Sequence, residues 1–320
     1  MMRRSFLAGA GAVALTAGLL PSAVTAADGP LAVVATTGMI ADAVAQVGGE
    51  RVAVQALMGP GVDPHTYRQT RSDIVAMASA DVVFWHGLYL EAQLEGFFHD
   101  LAGQKTVIAL AEGLPPERLL GSADYKDRRD PHVWMDPTLW SGVVEAARDA
   151  LITLDPEGEA VFRANAEAHL AEVAALGDYS AQVLATVPEG ARVLVTAHDA
   201  FNYFGHAYGY DVMGIQGIST ESEAGLAQIE TLVGVLVDRG IGAIFIESSV
   251  SDRNVMALIE GARARGHEAV IGGELFSDAM GDPGSYEGTY IGMIDHNVTT
   301  ITRALGGEAP ARGMNGKLRE

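Results

Sequence analysis

There is no cysteine in this 320-residue chain. That excludes a disulfide framework and any thiolate ligand, so a metal bound here would rest on nitrogen and oxygen donors. It also removes the cysteine to which bacterial lipid anchors attach, and the expectation is a protein that is not lipid-anchored. Cationic residues are scarce too: 21 Lys and Arg stand against 41 Asp and Glu, a formal net charge of −20. A surface of that sign repels nucleic acid and anionic lipid and draws cations toward it. No repeat or low-complexity tract interrupts the chain. Nor is there a His-Glu-x-x-His pair, since His267-Glu268 is followed by Ala269-Val270-Ile271 and lacks the spacing of a zinc protease helix.

What is present begins with an export signal. Residues 1–26 run from a basic start through a stretch of Gly, Ala and Leu to Val24-Thr25-Ala26, a junction that suits signal peptidase. The apolar stretch is too short and too rich in small residues for a stable span. Arg3-Arg4 fits a twin-arginine signal and also an ordinary Sec signal, so both routes stay open. The expected location is the periplasm.

The rest of the chain alternates β-rich runs with amphipathic stretches. "LAVVATT", "RVAVQALM" and "DVVFWHG" in the first half are answered by "RVLVTAH", "AIFIESS" and "EAVIGGELF" in the second. Strands alternating with helical patterns of this length predict an α/β fold with mainly parallel sheets flanked by helices. Leu226, Ile229, Val233 and Leu236 mark one face of a helix. Between the halves, Phe162, Leu170, Val173, Leu176 and Val183 form a long apolar stripe. Asp155 is placed as its N-cap, Pro156 at the first helical position and Pro188 as its stop. The expected division is a first lobe at 28–154, a connecting helix at 155–187 and a second lobe at 188–320.

Nine histidines occur, and most read as ordinary. His99 and His169 lie in helical stretches and are expected to be solvated. His86 ends a strand and suits a structural or supporting role; His206, His267 and His296 read as structural. His65, His132 and His198 differ. The first two sit in a repeated Asp-Pro-His, at Asp63-Pro64-His65 and Asp130-Pro131-His132, and the third ends a strand-like run. Ligands of open α/β folds gather at the carboxyl ends of strands, and a preceding proline stiffens the backbone that carries the side chain. A fourth donor is offered by Glu274, Asp278 and Asp282 after the last strand. Asp278, at the start of the Ser277-Asp278-Ala279 turn, is the choice, against the plainer reading of a helix cap.

These segments, with "MGPGVDPHTY", "DPHVWMDP", "VTAHDAFNYFG", "GISTESEAG", "IFIESSVS" and "GGELFSDAMG", resemble the substrate-binding proteins of bacterial ABC importers for zinc, manganese or iron(II). This is the TroA-like cluster A-I of solute-binding protein family 9, and the likeness extends over the whole mature chain. The resemblance implies two lobes joined by one long helix, with one divalent ion between them on His65, His132, His198 and Asp278. It implies an ABC permease in the inner membrane as partner, and no nucleic acid; the protein is expected to act as a monomer. Many zinc-dedicated relatives carry a His-rich loop before the second histidine, and "GLPPERLLGSADYKDRRD" has none. Many manganese-dedicated relatives place Glu where this chain has His198. The combination resembles members that handle both ions, Zn²⁺ or Mn²⁺, with Fe²⁺ also in range. The rival reading is a secreted zinc hydrolase, because three histidines with an open fourth position make a catalytic arrangement. If Asp278 fills that position, no water remains to be activated, and the protein is expected not to be an enzyme.

Overall fold

The computed structural model describes residues 29–122 and 126–319; the export signal expected at 1–26 lies outside the described residues. The first half is built on β1 (Leu31–Ala35), β2 (Val52–Ala56), β3 (Val82–Trp85) and β4 (Thr106–Ala109), in the order β2-β1-β3-β4. Every pairing is parallel. The four residues of β3 are all buried, as expected for a central parallel strand covered on both faces. Helices α1 (Gly38–Gly48), α2 (Arg71–Ser79) and α3 (Glu95–Ala102) supply that cover. α1 starts at Thr37, whose hydroxyl accepts from Ile40 N, and α2 at Thr70, which forms a reciprocal capping box with Asp73.

α4 (Pro137–Leu154) opens on Asp136, whose side chain accepts from Thr138 N at 2.8 Å, with Pro137 at its first position. The long helix of the apolar stripe is α5 (Glu159–Leu184), 26 residues or about 39 Å at 1.5 Å per residue. Its start differs from the expectation. Pro156–Gly158 form a separate 3-10 turn and no side chain caps α5. Asp155 instead ends α4 and takes a two-pronged bond from Arg51 at 2.7 and 2.9 Å. The carboxylate serves the guanidinium, a stronger partner than a backbone amide.

The second half pairs β5 (Val193–Thr196) with β6 (Asp211–Gly214) and β7 (Ala243–Glu247) with β8 (Val270–Leu275), again parallel, with β5 beside β7. Around them lie α6 (Asn202–Tyr208), α7 (Leu226–Arg239), α8 (Arg253–Ala264) and α9 (Tyr290–Ala304). On α7, Val233 and Leu236 are buried as expected and Ile229 is partly buried, but Leu226, the first residue of the helix, is 81% exposed.

One continuous core joins α1, α4, α5 and α9, from Ile40 and Val44 through Trp140 and Leu176 to Met293 and Ile301. The long helix is therefore packed along its length, and the last helix of the chain returns to the first half. Tyr290 N donates to Asp42 Oδ2 at 2.9 Å, and the Tyr290 hydroxyl donates to the Trp134 carbonyl at 2.9 Å. Smaller cores fill the space under β5, β7, α7 and α8 and under β1, β3, α2 and α3. Among the described residues no helix is long and apolar enough to cross a membrane.

Candidate metal centre

His65 lies in the loop after β2, His132 after β4, His198 two residues after β5 and Asp278 three residues after β8. All four thus stand beyond the carboxyl ends of parallel strands, two from each half. One donor atom from each lies within 4.8 Å of every other, and their side chains are at most 2% exposed. His65 Nε2 and His132 Nε2 face each other at 3.3 Å. Asp278 lies 3.1 Å from His198 Nε2, 3.5 Å from His132 Nε2 and 3.7 Å from His65 Nε2. His198 Nε2 and both oxygens of Asp278 have no hydrogen-bond partner, although unpaired polar atoms at this depth are costly. A divalent cation amid three nitrogens and a carboxylate would satisfy them together, and the donor set suits zinc or another first-row ion. The other two acidic candidates, Glu274 and Asp282, are exposed and stand apart from the cluster.

The repeated Asp-Pro-His has a structural reason. In each copy the aspartate turns back to accept the backbone N–H of the histidine two residues on: Asp63 from His65 at 2.9 Å and Asp130 from His132 at 3.0 Å. This side-chain-to-backbone turn, with proline between, fixes where the imidazole leaves the chain. Asp130 does more, since it also accepts from His132 Nδ1 at 2.7 Å. With the proton held on Nδ1, the lone pair of Nε2 points into the cluster. Glu247, the last residue of β7, does the same for His198, accepting from its N–H at 2.8 Å and from its Nδ1 at 2.5 Å.

Asp130 and Glu247 escaped the sequence reading. The only signals were an acid two residues before a histidine and a carboxylate ending an otherwise apolar strand. Asp130 is further tied by Asn202 Nδ2 to its other oxygen at 3.0 Å and by the Tyr203 hydroxyl to its carbonyl at 2.9 Å.

His86 has the supporting role foreseen for it. Its Nε2–H donates to the Pro131 carbonyl at 2.7 Å, and its ring lies edge-on to Trp134. Glu91 accepts from His86 N at 2.8 Å, from Gly87 N at 3.2 Å and from the Thr36 hydroxyl at 2.6 Å. These bonds hold Gly87, Leu88 and Tyr89 at φ of 86°, 54° and 70°, a left-handed run whose cost the surrounding contacts must offset. His99 is exposed, as expected. His169 is not: it is 3% exposed on α5, with Nδ1 3.6 Å from Glu172 and neither ring nitrogen hydrogen-bonded, because the stripe that α5 buries includes its position.

Electrostatically the cluster is divided. Burial pushes His65 down to about 3 and His86 likewise to about 3, so both are neutral. Burial also opposes the charged form of His198, but Glu247 and Asp278 outweigh it and raise that imidazole well above its ordinary value. The same holds in mirror image for Asp278: desolvation pushes it up, and His198 with the other imidazoles brings it below the usual carboxylate range. Across 3.1 Å His198 and Asp278 thus favour each other's charged forms, and His198 can hold a cation only with its Nε2 free of a proton.

Comparison with known proteins gives a consistent picture. Residues 33–304 match the family described as "Zinc-uptake complex component A periplasmic". The manganese-binding lipoprotein MntA of Bacillus subtilis (strain 168) is 45% identical over 292 residues, 91% of this chain and 95% of that protein. The zinc-binding protein TroA of Treponema pallidum (strain Nichols) is 45% identical over 280 residues, 88% and 90% of the two chains. The solved structure of the periplasmic zinc-binding protein TroA from Treponema pallidum superimposes with a TM-score of 0.84 at 44% identity, covering 87% of this chain and 99% of that one.

These relatives correct one expectation. MntA, like the streptococcal SsaB at 29% identity over 86% of this chain, is named a lipoprotein, so the expectation of a protein without a lipid anchor does not stand. The lack of cysteine bears only on attachment through a thiol and does not by itself decide how a chain is held at a membrane.

Proposed function

The chain belongs to the family of periplasmic zinc-uptake components, and from that premise we propose that His65, His132, His198 and Asp278 hold the single divalent ion this protein carries for an ABC importer. The supporting observation is the convergence of three imidazole nitrogens and a carboxylate within 4.8 Å, drawn from both halves of the chain, with unpaired atoms facing one another. The cargo is zinc or manganese, the ions for which the relatives TroA and MntA are named. An N3O site prefers Zn²⁺ over Mn²⁺ by the Irving–Williams order, so the ion carried follows from what the compartment supplies as well as from affinity.

In this reading residues 28–154 and 188–320 act as two lobes joined through 155–187, and a monomer hands its ion to a permease in the inner membrane. The protein is not a hydrolase. The four donors are shut away from solvent, and a catalytic zinc needs an open position for water and substrate. Loaded protein is accordingly expected to show no esterase, phosphatase or peptidase activity. Competitive chelator titration with Zn²⁺ and Mn²⁺ tests the site: His132→Ala should cost more than the roughly 10–100-fold typical of losing an outer partner, whereas exposed His99→Ala should cost nothing. Equal affinity in the two variants would remove the assignment.

A further inference from the structure

The walls of the metal centre are unequal. On the His132 side the two halves are stitched by buried bonds: Trp134 Nε1 donates to the Ser277 carbonyl at 2.8 Å, the Tyr203 hydroxyl to Asp130 O at 2.9 Å, and the Tyr290 hydroxyl to Trp134 O at 2.9 Å. On the His65 side the halves meet at the loop 215–225. Its base is fixed to β5, with Ile215 N on Thr196 O at 3.0 Å and Gln216 N on Ala197 O at 2.9 Å. Its tip reaches across the cleft, where the Thr220 hydroxyl donates to Asp63 Oδ2 at 2.5 Å and Glu221 accepts from Gln93 Nε2. The second contact is exposed and adds little. The Thr220–Asp63 bond is part-buried.

Here the two Asp-Pro-His copies part company. Asp130 holds its own histidine ring with one oxygen and Asn202 with the other, whereas Asp63 leaves its histidine ring alone and shares its second oxygen between Thr66, at 3.0 Å, and Thr220. Thr220 is thus connected through one carboxylate to the backbone N–H of a proposed ligand, His65. Two cavities border this region. One, about 470 Å³, reaches Asp278 between walls that include Ala41, Val54, Met58 and Met280 together with Asp42. The other, about 190 Å³, adjoins the latch itself and is lined by Asp63, Gln216, Thr220, Glu223, Ser249 and Arg253 among others.

We propose that Thr220, through its hydroxyl on Asp63, is a positioning residue that latches the loop 215–225 over the His65 edge of the centre and sets the rate at which the ion enters and leaves. The inference rests on the metal-carrying reading above. Thr220 supplies no ligand atom, so its loss lowers a barrier and leaves the donor set intact. Entry and exit then accelerate together, and Kd stays within about twofold.

Stopped-flow loading with Zn²⁺ and its removal by excess chelator measure both rates in the wild type, Thr220→Val and Thr220→Ser. Losing one hydrogen bond to a charged group predicts a rise of about tenfold in both rates for Thr220→Val, with Thr220→Ser close to wild type because the hydroxyl remains. Unchanged rates in Thr220→Val would overturn the latch, as would Thr220→Ser matching Thr220→Val, or a tenfold weaker Kd with slower loading, which would place the damage in the centre itself. Wild-type protein that bound neither Zn²⁺ nor Mn²⁺ would overturn the transport reading and the latch with it.

Discussion

Replacing Glu247 by Gln changes one atom in the wall of the metal centre and is expected to weaken zinc binding about 10–100-fold. Glu247 receives two hydrogen bonds from the same residue, His198 N–H at 2.8 Å and His198 Nδ1–H at 2.5 Å, and all the groups are buried. A glutamine has one acceptor and one NH₂ donor in place of two acceptors. If its oxygen serves the ring, its NH₂ confronts the backbone N–H, and two donors meet without solvent at a cost of about 1–3 kcal/mol. If its oxygen serves the backbone, its NH₂ turns to Nδ1, the proton moves to Nε2, and the lone pair that should face the ion is lost. Both outcomes agree with the 10–100-fold seen when an outer partner of a metal ligand is removed.

The pH dependence sharpens the test. In the wild type, Glu247 and Asp278 raise His198 well above its ordinary value against the effect of burial. Ion binding must therefore expel a proton, and affinity falls as pH drops. Glu247→Gln removes the first of those two carboxylates, so its affinity falls less steeply on acidification, and the deficit against wild type narrows from about pH 8.5 toward about pH 6. Chelator competition across that range reads it directly. Affinity within about twofold of wild type at every pH would refute the role given to Glu247, and a deficit that widened on acidification would refute the protonation argument.

His86 is neutral in the fold at about 3 and reverts to about 6.5 when unfolded. Its contribution to stability is therefore present above about pH 6.5 and lost as pH falls, by up to about 1.4 kcal/mol per unit. Thermal melts of His86→Gln, which can still donate to Pro131 O, should show a shallower acid slope than wild type, and an identical slope would exclude His86 as its source. Gly177, inside α5, has room for a methyl group, because a Cβ there would lie 3.7 Å from Pro137 Cβ, an ordinary contact. Gly177→Ala should raise stability to urea by about 0.5–1 kcal/mol and leave the Zn²⁺ affinity unchanged; a loss of stability would show that α5 needs the glycine.

Much of the architecture was legible because its signals are local. Period-two and 3.6-residue apolar patterns survive in the sequence whatever the partner surface, so the alternation of strands with helices at β1, β2, β3, β5, β7 and β8, and the long α5, follow from chain order, whereas the short β4 went unread. His65, His132 and His198 stood out for a related reason: the first two sit in a repeated Asp-Pro-His and the third ends a strand-like run. Asp278 was separable from Glu274 and Asp282 by its turn, and in the fold it is buried where the other two are exposed.

What the chain order left undetermined were the partners that depend on which distant segments meet. Arg51 takes Asp155 away from capping α5 across 104 positions. Glu247 orients His198 across 49, and Thr220 reaches Asp63 across 157. A carboxylate carries no mark in sequence that says whether water, an amide, an imidazole or an ion will satisfy it. Only burial decides that, because once solvent is excluded an acceptor must take whatever donor the packed fold has brought within about 3 Å.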